Sequence, residues 1–576
     1  MYFYTQENME IFIKKYWGLF FVIIFSFITI LPLFHSGFFS MHDDTQVARV
    51  FEMGKSIKDG MFPVRWVQDL GYGYGYPVFT FYAPFAYYFG AVFLLVGFSA
   101  LTATKLMIGS GILLAVVAMY FFARDFWGEV GGVVSGLLYI YAPYHALDIY
   151  VRGDVAEFWA YALLPCICFS LWSIFQTQKT RYVIFGAISF AMLICSHNLS
   201  ALMTTPFLLA FILMLGIFSK NKKISNRFLP IISLLLGILL AGFYWFPVPF
   251  EMHYTNVLSQ VGGAADFRLH FVCPGELWSS PWGYGGSAPG CIDGISFAIG
   301  KIYIAVAALA LILLPFLFRQ KKCYGWVVLT ALLGSGISLF MLLDFSLPIW
   351  EFLKPLAFLQ YPWRFFILVY FFLSFLSGVF FWFLLQKHFL GKKTLLGILF
   401  LITVAAILLV QKKYFIPQTY YSVASNYYTN TVALQWNASK LTDEYMPQHF
   451  QKPRTVGQIV TKRFILGTTT GKVQIQSAKT FAYNLLVVAK QNTTLHINIA
   501  YFPAWHVFLD GKHVGIKPTN TGMEIAVPKG QHEISIIYQS TLVETIGDYI
   551  TIAGILLCVL AIIGVGRKKL HEKKDR

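Results

Sequence analysis

Acidic side chains are scarce in this chain. Its 576 residues include 27 Asp and Glu, and 12% of all residues are charged against 57% hydrophobic and 18% aromatic. That composition excludes an ordinary soluble globule, which carries about 25% charged residues. It also makes each acid informative, because an ionisable group near lipid is costly and tends to face a cavity or another charge.

Other signals are missing too. No Gly-x-x-x-x-Gly-Lys-Ser/Thr phosphate loop occurs, which argues against an ATP-driven pump. There is no His-Glu-x-x-His metalloprotease motif and no two-half internal repeat of the kind that builds many transporters. The seven cysteines show no metal-ligand spacing: Cys166, Cys168, Cys195 and Cys558 lie in apolar runs, and Cys323 starts one. Cys273 and Cys291 share one long polar loop and are candidates for a disulfide if that loop faces an oxidising compartment. The first apolar run has no small-residue cleavage site and reads as a retained anchor.

What is present is a succession of apolar runs of about 18 residues or more, the signature of membrane-spanning helices. The net charge of +17 comes from Lys and Arg concentrated in the short loops between them. That placement follows the positive-inside bias, so the charge reports topology rather than nucleic-acid binding. Lys14-Lys15, Arg124, Lys179 with Arg181, the clusters Lys220 to Arg227, Arg319 to Lys322 and Lys387 to Lys393, and the tail Arg567-Lys568-Lys569 are all placed in the cytoplasm. One conflict then appears. The run 16–34 delivers Asp43 to the outer side, yet two further crossings at 77–97 and 102–123 leave Arg124 outside as well. The stretch 77–97 carries Pro77 and Pro84 and follows the repeat Gly71-Tyr72-Gly73-Tyr74-Gly75-Tyr76. It is therefore read as re-entrant or interfacial.

The expectation is a polytopic α-helical membrane protein with about twelve spans and both termini cytoplasmic, in a bacterial plasma (inner) membrane. Residues 1–411 form the bundle, with outer loops 36–76, 148–157 and 249–296. Residues 412–544 form an extracytoplasmic domain, and 545–576 a final span with a basic tail. From Thr461 onward a period-two pattern rich in Val, Ile, Thr and Tyr, with hairpin signals at Asp510-Gly511 and Pro528-Lys529-Gly530, predicts an antiparallel β-sandwich. Its segment Tyr501 to Val507 is either sandwich core or a carbohydrate-facing aromatic edge.

Chemistry-bearing residues gather on the outer side. Asp43 and Asp44 follow the first span in Ser40-Met41-His42-Asp43-Asp44-Thr45, and Asp154 and Glu157 lie in Arg152-Gly153-Asp154-Val155-Ala156-Glu157. A carboxylate in such a cleft can act as general base for an acceptor hydroxyl or hold a metal. The bland alternative has Asp44 capping a helix that starts near Thr45 and Asp154 pairing with Arg152. Arg364, in Pro362-Trp363-Arg364, opens a long apolar run; it either grips a phosphate through its planar fork or snorkels to the interface. His197, in Ser196-His197-Asn198, is a phosphate or sugar-hydroxyl contact or a structural histidine. The segment Asp443-Glu444-Tyr445-Met446-Pro447 is able to fold back over the cleft.

One span, an outer loop opening on an acidic doublet, a re-entrant aromatic segment and a second acidic motif after the next pair of spans: this order resembles the GT-C class of membrane glycosyltransferases. The motifs Gly73-Tyr74-Gly75-Tyr76-Pro77, Tyr141-Ala142-Pro143-Tyr144, Arg152 to Glu157, Ser196-His197-Asn198, Pro362-Trp363-Arg364, Glu444-Tyr445-Met446-Pro447 and Tyr501 to Trp505, together with His42-Asp43-Asp44, resemble the bacterial membrane family labelled "6-pyruvoyl-tetrahydropterin synthase-related", close to the YfhO-like proteins. The resemblance implies transfer of a sugar from a polyprenyl-phosphate donor to an envelope glycan, lipid or protein. It puts the base or metal ligand on Asp43 or Asp44, with Asp43 favoured, and a second acid on Asp154 or Glu157. Phosphate and substrate contacts fall to Arg364, Arg152, His197, His42 and Tyr445. A divalent cation (magnesium or manganese), with Asp43 and Asp154 as its ligands, is left open. The competing expectation is a non-enzymatic protein, a lipid-carrier flippase or an envelope-assembly scaffold, whose buried charges line a path. If the topology is right, cysteines introduced as Arg124→Cys and Asp44→Cys label from opposite sides of the membrane; labelling from one side overturns it.

Overall fold

The computed structural model describes residues 6–218, 227–386, 393–424, 426–467 and 471–574. The basic loop residues Lys220, Lys222, Lys223, Lys387 and Lys392 lie outside these. Among the described residues nine helices are long and apolar enough to cross a membrane, or ten if the bent pair Leu229–Leu240 and Gly242–Tyr254 is one span. One of the nine is not a single rod. Within Ala100–Ile140, Gly128 has φ +74°, and a Cβ on Gly136 would lie 3.2 Å from the carbonyl oxygen of Val116. The two arms therefore run antiparallel and in close contact, with Arg124 near the tip. The apolar helix Thr180–Ser196 has 17 residues, and Phe85–Leu95 has 11. At 1.5 Å per residue, the latter is far too short for a hydrocarbon layer of about 30 Å.

Burial separates the centre of the bundle from its rim. The apolar windows of Val155–Thr177 and Pro362–Gln386 are 89% and 83% buried, whereas those of Thr394–Tyr414 and Leu542–Gly564 are 17% buried. Small residues and buried polar contacts hold neighbours together, as expected where lipid removes the hydrophobic drive between helices. Tyr139 and Tyr161 stack at 3.9 Å, and each donates its hydroxyl to the other's backbone carbonyl, at 2.6 and 2.7 Å.

The C-terminal part of the chain, Phe464–Tyr538, is a two-sheet structure. One sheet runs, in hydrogen-bonded order, Phe464–Leu466, Thr493–Ile497, Gly522–Val527, Lys517–Thr519; the other runs Gly471–Lys479, Ala482–Ala489, Gly530–Tyr538, Trp505–Leu509, Lys512–Val514. Alternate side chains such as Tyr483, Leu485 and Val487 point inward and are buried, as the period-two pattern requires. Asp510 and Gly511, both at positive φ, make the tight turn between Trp505–Leu509 and Lys512–Val514. Pro528-Lys529-Gly530 differs from its hairpin signal: the strands on either side belong to different sheets, so it is a crossing. Phe502 and Trp505 are buried, with Trp505 edge-on to Trp66 of the first outer loop, so that stretch is not a carbohydrate-facing edge.

The Gly-Tyr repeat turns out to be a docking peg for the C-terminal part of the chain. Tyr72 donates to Asp443 (2.8 Å), Tyr74 packs on Phe450, and Tyr76 hydrogen-bonds Thr442. The backbone carbonyls of Tyr72 and Tyr74 accept from the amides of Val460 and Ala500. Among the described residues of 412–462 the only strand is Tyr420–Tyr421, and the stretch forms an irregular cap that returns to the bundle. A second clamp is ionic. Arg65, 2% exposed, donates to Asp548 (2.6 Å) and lies 3.8 Å from Glu544, which also accepts from Tyr538 (2.9 Å). Arg65→Ala strands the fully buried Glu544 carboxylate and should lower stability by about 3–5 kcal/mol. Thermal unfolding in detergent, with earlier proteolysis near residue 460, is the measurement; an unchanged midpoint refutes the clamp.

Candidate functional site

Residues 38–45 form a strap across one end of the bundle. Phe38 and Phe39 pair with Tyr421 and Tyr420, and the amides of His42 and Asp43 donate to the carbonyls of Val151 (3.0 Å) and Arg152 (2.9 Å). Gly153 makes this approach possible: it sits at φ +70°, and a Cβ there would meet the Met41 side chain at 2.3 Å. Gln46, the first residue of the helix Gln46–Asp59, donates to the carbonyl of Gly153 (2.8 Å) and accepts from Tyr87 (2.6 Å). The helix cap is Thr45, with no side-chain cap bond, so Asp44 is free of the capping role.

Asp148–Arg152 is a π-helical turn, and Asp154 then caps the helix Val155–Thr177 by accepting from the amide of Glu157 (3.0 Å). π-turns recur at functional sites because they re-aim side chains. Here the turn aims Arg152 at three carboxylates: Asp148, Asp154 (2.8 Å) and Glu157 (2.9 Å). Its guanidinium also lies over Trp363, 4.5 Å from the ring centre. Arg364 approaches from the other side, 3.6 Å from Asp154, 3.4 Å from Glu157 and 3.1 Å from Nε2 of His197. An arginine only donates, so Nε2 accepts from Arg364, while Nδ1 caps the helix Asn198–Ile217 by accepting from the Ser200 amide (3.2 Å) and lies 2.7 Å from Ser200 Oγ. Burial and the Arg364 charge together push the His197 pKa down to about 3, so the ring is neutral. For Asp154, burial works upward, but the charges of Arg152 and Arg364 outweigh it and hold the carboxyl below its usual range.

These groups wall a cavity of about 580 Å³ that also admits His42, Asp43, Arg49, Tyr82, His270, Glu444 and Tyr445. Asp43 is exposed to that cavity, and among the described residues nothing donates to its carboxylate. Burial below the outer surface and the charge of Asp154 raise its pKa, against Arg49, Arg152 and Arg364. Asp44 does not line the cavity; it lies on the other face of the strap, and burial raises its pKa to about 6. His42 Nε2 donates to the carbonyl of Tyr284 (2.9 Å) at the cavity mouth. The 249–296 loop that frames this mouth is tied by a disulfide between Cys273 and Cys291.

Arg49 is the residue that sequence reasoning missed. It is 3% exposed, stacks 3.9 Å over Tyr82 and donates to Tyr87 (3.2 Å), yet no carboxylate pairs with it among the described residues. The signal was legible: Gln46, Arg49 and Glu52 recur every third residue, which places polar groups on one face of a helix. Glu444, raised by burial to about 7, was part of a singled-out segment but was not named as a site residue.

Oxygens of Asp154 and Glu157 and a nitrogen of His197 lie within 4.8 Å of one another, close enough to share an ion. Their donors are already supplied, however. Asp154 receives the Glu157 amide and Arg152, Glu157 receives Tyr144 (2.5 Å) and Arg152, and His197 receives Arg364. Two guanidiniums stand where a divalent cation would, so this donor set does not fit a resident metal.

Residues 79–261 match the family model described as "6-pyruvoyl-tetrahydropterin synthase related domain; membrane protein". A protein of Lactococcus lactis subsp. cremoris, called "Uncharacterized protein", is 25% identical over 247 residues, 41% of this chain; the chain spans 40% of that relative's length. Among solved structures, an archaeal oligosaccharyltransferase from Archaeoglobus fulgidus, in complex with an inhibitory peptide and a dolichol-phosphate, is similar with a TM-score of 0.42 and 11% identity over 75% of this chain and 56% of that one. An arabinofuranosyltransferase from Mycobacteria is similar with a TM-score of 0.40 and 13% identity over 71% of this chain and 28% of that one. Likenesses at these scores assign no residue and no chemistry to this chain.

The neutral, buried His197 has a pH consequence. Its folded pKa is depressed, so between pH 6.5 and about 3 the unfolded chain binds more protons, and stability falls as pH falls. Across pH 6.5 to 4, wild type should lose about 1 kcal/mol per pH unit more than His197→Gln. Parallel denaturation curves for the two proteins refute the assignment.

Proposed function

We propose that this membrane protein is a glycosyltransferase of the GT-C type, moving a sugar from a polyprenyl-phosphate donor to a cell-envelope glycan, lipid or protein on the extracytoplasmic side. The observation that carries the reading is the juxtaposition in one cavity of a carboxylate without a donor, Asp43, and a buried guanidinium without a carboxylate, Arg49. A base and an anion site side by side are what transfer from a phosphate leaving group requires.

In the proposed reaction Asp43 takes the proton from an acceptor hydroxyl as its oxygen attacks the anomeric carbon from the face opposite the phosphate. The bond from that carbon to the phosphate oxygen breaks, and the lipid phosphate leaves as an anion beside Arg49. The raised pKa of Asp43 strengthens it as a base. Arg152 and Arg364 are held by Asp154 and Glu157, so they frame the cavity and add positive potential without being free clamps. His42 and Tyr445 line the cavity as substrate contacts.

A second, almost wholly apolar groove of about 430 Å³ runs between Thr180–Ser196, Asn198–Ile217 and Leu229–Leu240, lined by Ile194, Leu202, Leu209, Leu235 and Ile238. Asn198 lines both this groove and the cavity. This continuity supports a donor whose isoprenoid tail lies among the helices while its phosphate sits in the polar chamber. Twelve crossings, cytoplasmic termini in a plasma membrane, a bundle of residues 1–411 and an outer domain of 412–544 complete the proposal.

The test is incubation of the reconstituted protein with a panel of polyprenyl-phosphate sugars, read by mass spectrometry of the donor. Asp43→Asn should lower donor consumption about 10²–10⁴-fold. Arg49→Gln should weaken donor binding about 10–100-fold. Full consumption by Asp43→Asn sinks the assignment, and donor moved across the vesicle without being consumed favours a lipid-carrier flippase.

A further inference from the structure

The strap that carries Asp43 has a second face, which the proposed reaction does not use. Asp44 lies there, half-buried, beside a group of tyrosines from the start of the cap. Tyr420, Tyr421 and Tyr427 are 39%, 38% and 49% exposed. Tyr421 pairs with Phe38, and Tyr420 lies ring to ring with His35 at 4.6 Å. Tyr428 packs edge-on to Tyr427 and Phe38, and within electrostatic reach of Asp44. It is 6% exposed, and its hydroxyl makes no hydrogen bond.

The patch leads to the cavity. Tyr420 is in the neighbourhood of Tyr284, whose carbonyl meets His42 Nε2 at 2.9 Å, and His42 lines the cavity beside Asp43. Trp282 extends the aromatic surface, 6.3 Å from Tyr284 and 4.8 Å from Tyr414. Exposed rings at Tyr427, Tyr421 and Tyr420 therefore continue into the half-buried rings of Tyr284 and Trp282 towards the mouth of the chamber.

We propose that this surface is a track for a carbohydrate chain, the acceptor, whose end passes His42 to reach Asp43. Exposed tyrosines offer apolar faces with wet edges, which suit the two-sided surface of a sugar ring. An aromatic belt that only meets lipid headgroups accounts for exposed rings but not for the other groups. The half-buried Asp44 carboxylate at the edge of the rings calls for hydrogen-bond donors, which sugar hydroxyls supply and acyl chains do not. The direction of the track rests on the proposed sugar-transfer role of the cavity; binding to it does not.

The experiment is titration of the purified full chain, in detergent, with two soluble probes, chitohexaose and maltohexaose, followed by calorimetry or saturation-transfer NMR. At least one should bind saturably with a Kd near or below about 1 mM, and Tyr420→Ala with Tyr427→Ala should raise that Kd about tenfold or more. The same pair as Tyr→Phe keeps the rings and should bind as wild type, as should Phe352→Ala, an exposed ring elsewhere. Asp44→Asn should also weaken binding, which keeps the idea testable if the alanine pair misfolds. Saturation by neither probe, or wild-type affinity in both the alanine pair and Asp44→Asn, overturns the track. Donor consumption measured in parallel separates the two ideas: glycan binding absent with donor still consumed removes the track alone.

Discussion

Two arginines, Arg152 and Arg364, share the carboxylates of Asp154 and Glu157 inside the protein, and the outer end of the bundle is arranged around that network. Each of the four side chains is less than 10% exposed. Buried charges of this kind are tolerable only when each has its partner, because the desolvation cost of an unpaired one runs to several kcal/mol. The network therefore fixes the relative positions of segments far apart in sequence: the π-turn at 148–152, the start of the helix at 155, the junction at His197 and the turn before 366. Once those are fixed, the backbone of Arg152 offers its carbonyl to Asp43, and the strap falls into place across the chamber.

The same network divides the acids by role. Asp154 and Glu157 spend their lone pairs on the arginines and on Tyr144, so they serve as a charged framework. Asp43, one strand's width away, has no such partner and faces the open chamber. Arg49 is its counterpart among the cations: buried, stacked on Tyr82, and without a carboxylate. Among the described residues these are the two cavity-lining charges without a direct ionic partner, which is why the proposed reaction is placed on them.

The chamber is closed from the far end of the chain. Leu441, Thr442, Glu444 and Tyr445 line it, and the segment is held down by Tyr72 and Tyr76 of the Gly-Tyr turn. Much of this was legible in advance. The apolar runs, the period-two strands, the acid pair and the basic loops each follow from local composition, and the stretch 77–97 that the parity of the basic loops singled out holds a helix of only 11 residues, Phe85–Leu95. The return of the Glu444 segment over the cleft was visible as an option. What was not legible was the use of the Gly-Tyr repeat, since the partners of those rings lie more than 360 residues away. Arg49 was overlooked for a related reason: the significance of a lone helix arginine depends on whether a carboxylate meets it in space.

By itself the sequence determined that this chain lies in a membrane, where its helices and outer β-domain fall, and which few ionisable residues are available for chemistry. Those properties follow from hydropathy and periodicity, which act over a few turns of chain. Tertiary structure alone decided which of Asp43 and Asp44 faces the chamber, that His197 is neutral, that Asp154 and Glu157 are committed to arginines, and that Arg49 is not. Those outcomes depend on distance between groups that are remote in sequence, and on burial, which strengthens every charge interaction it isolates from water. Neither distance nor burial is written in the local pattern of residues.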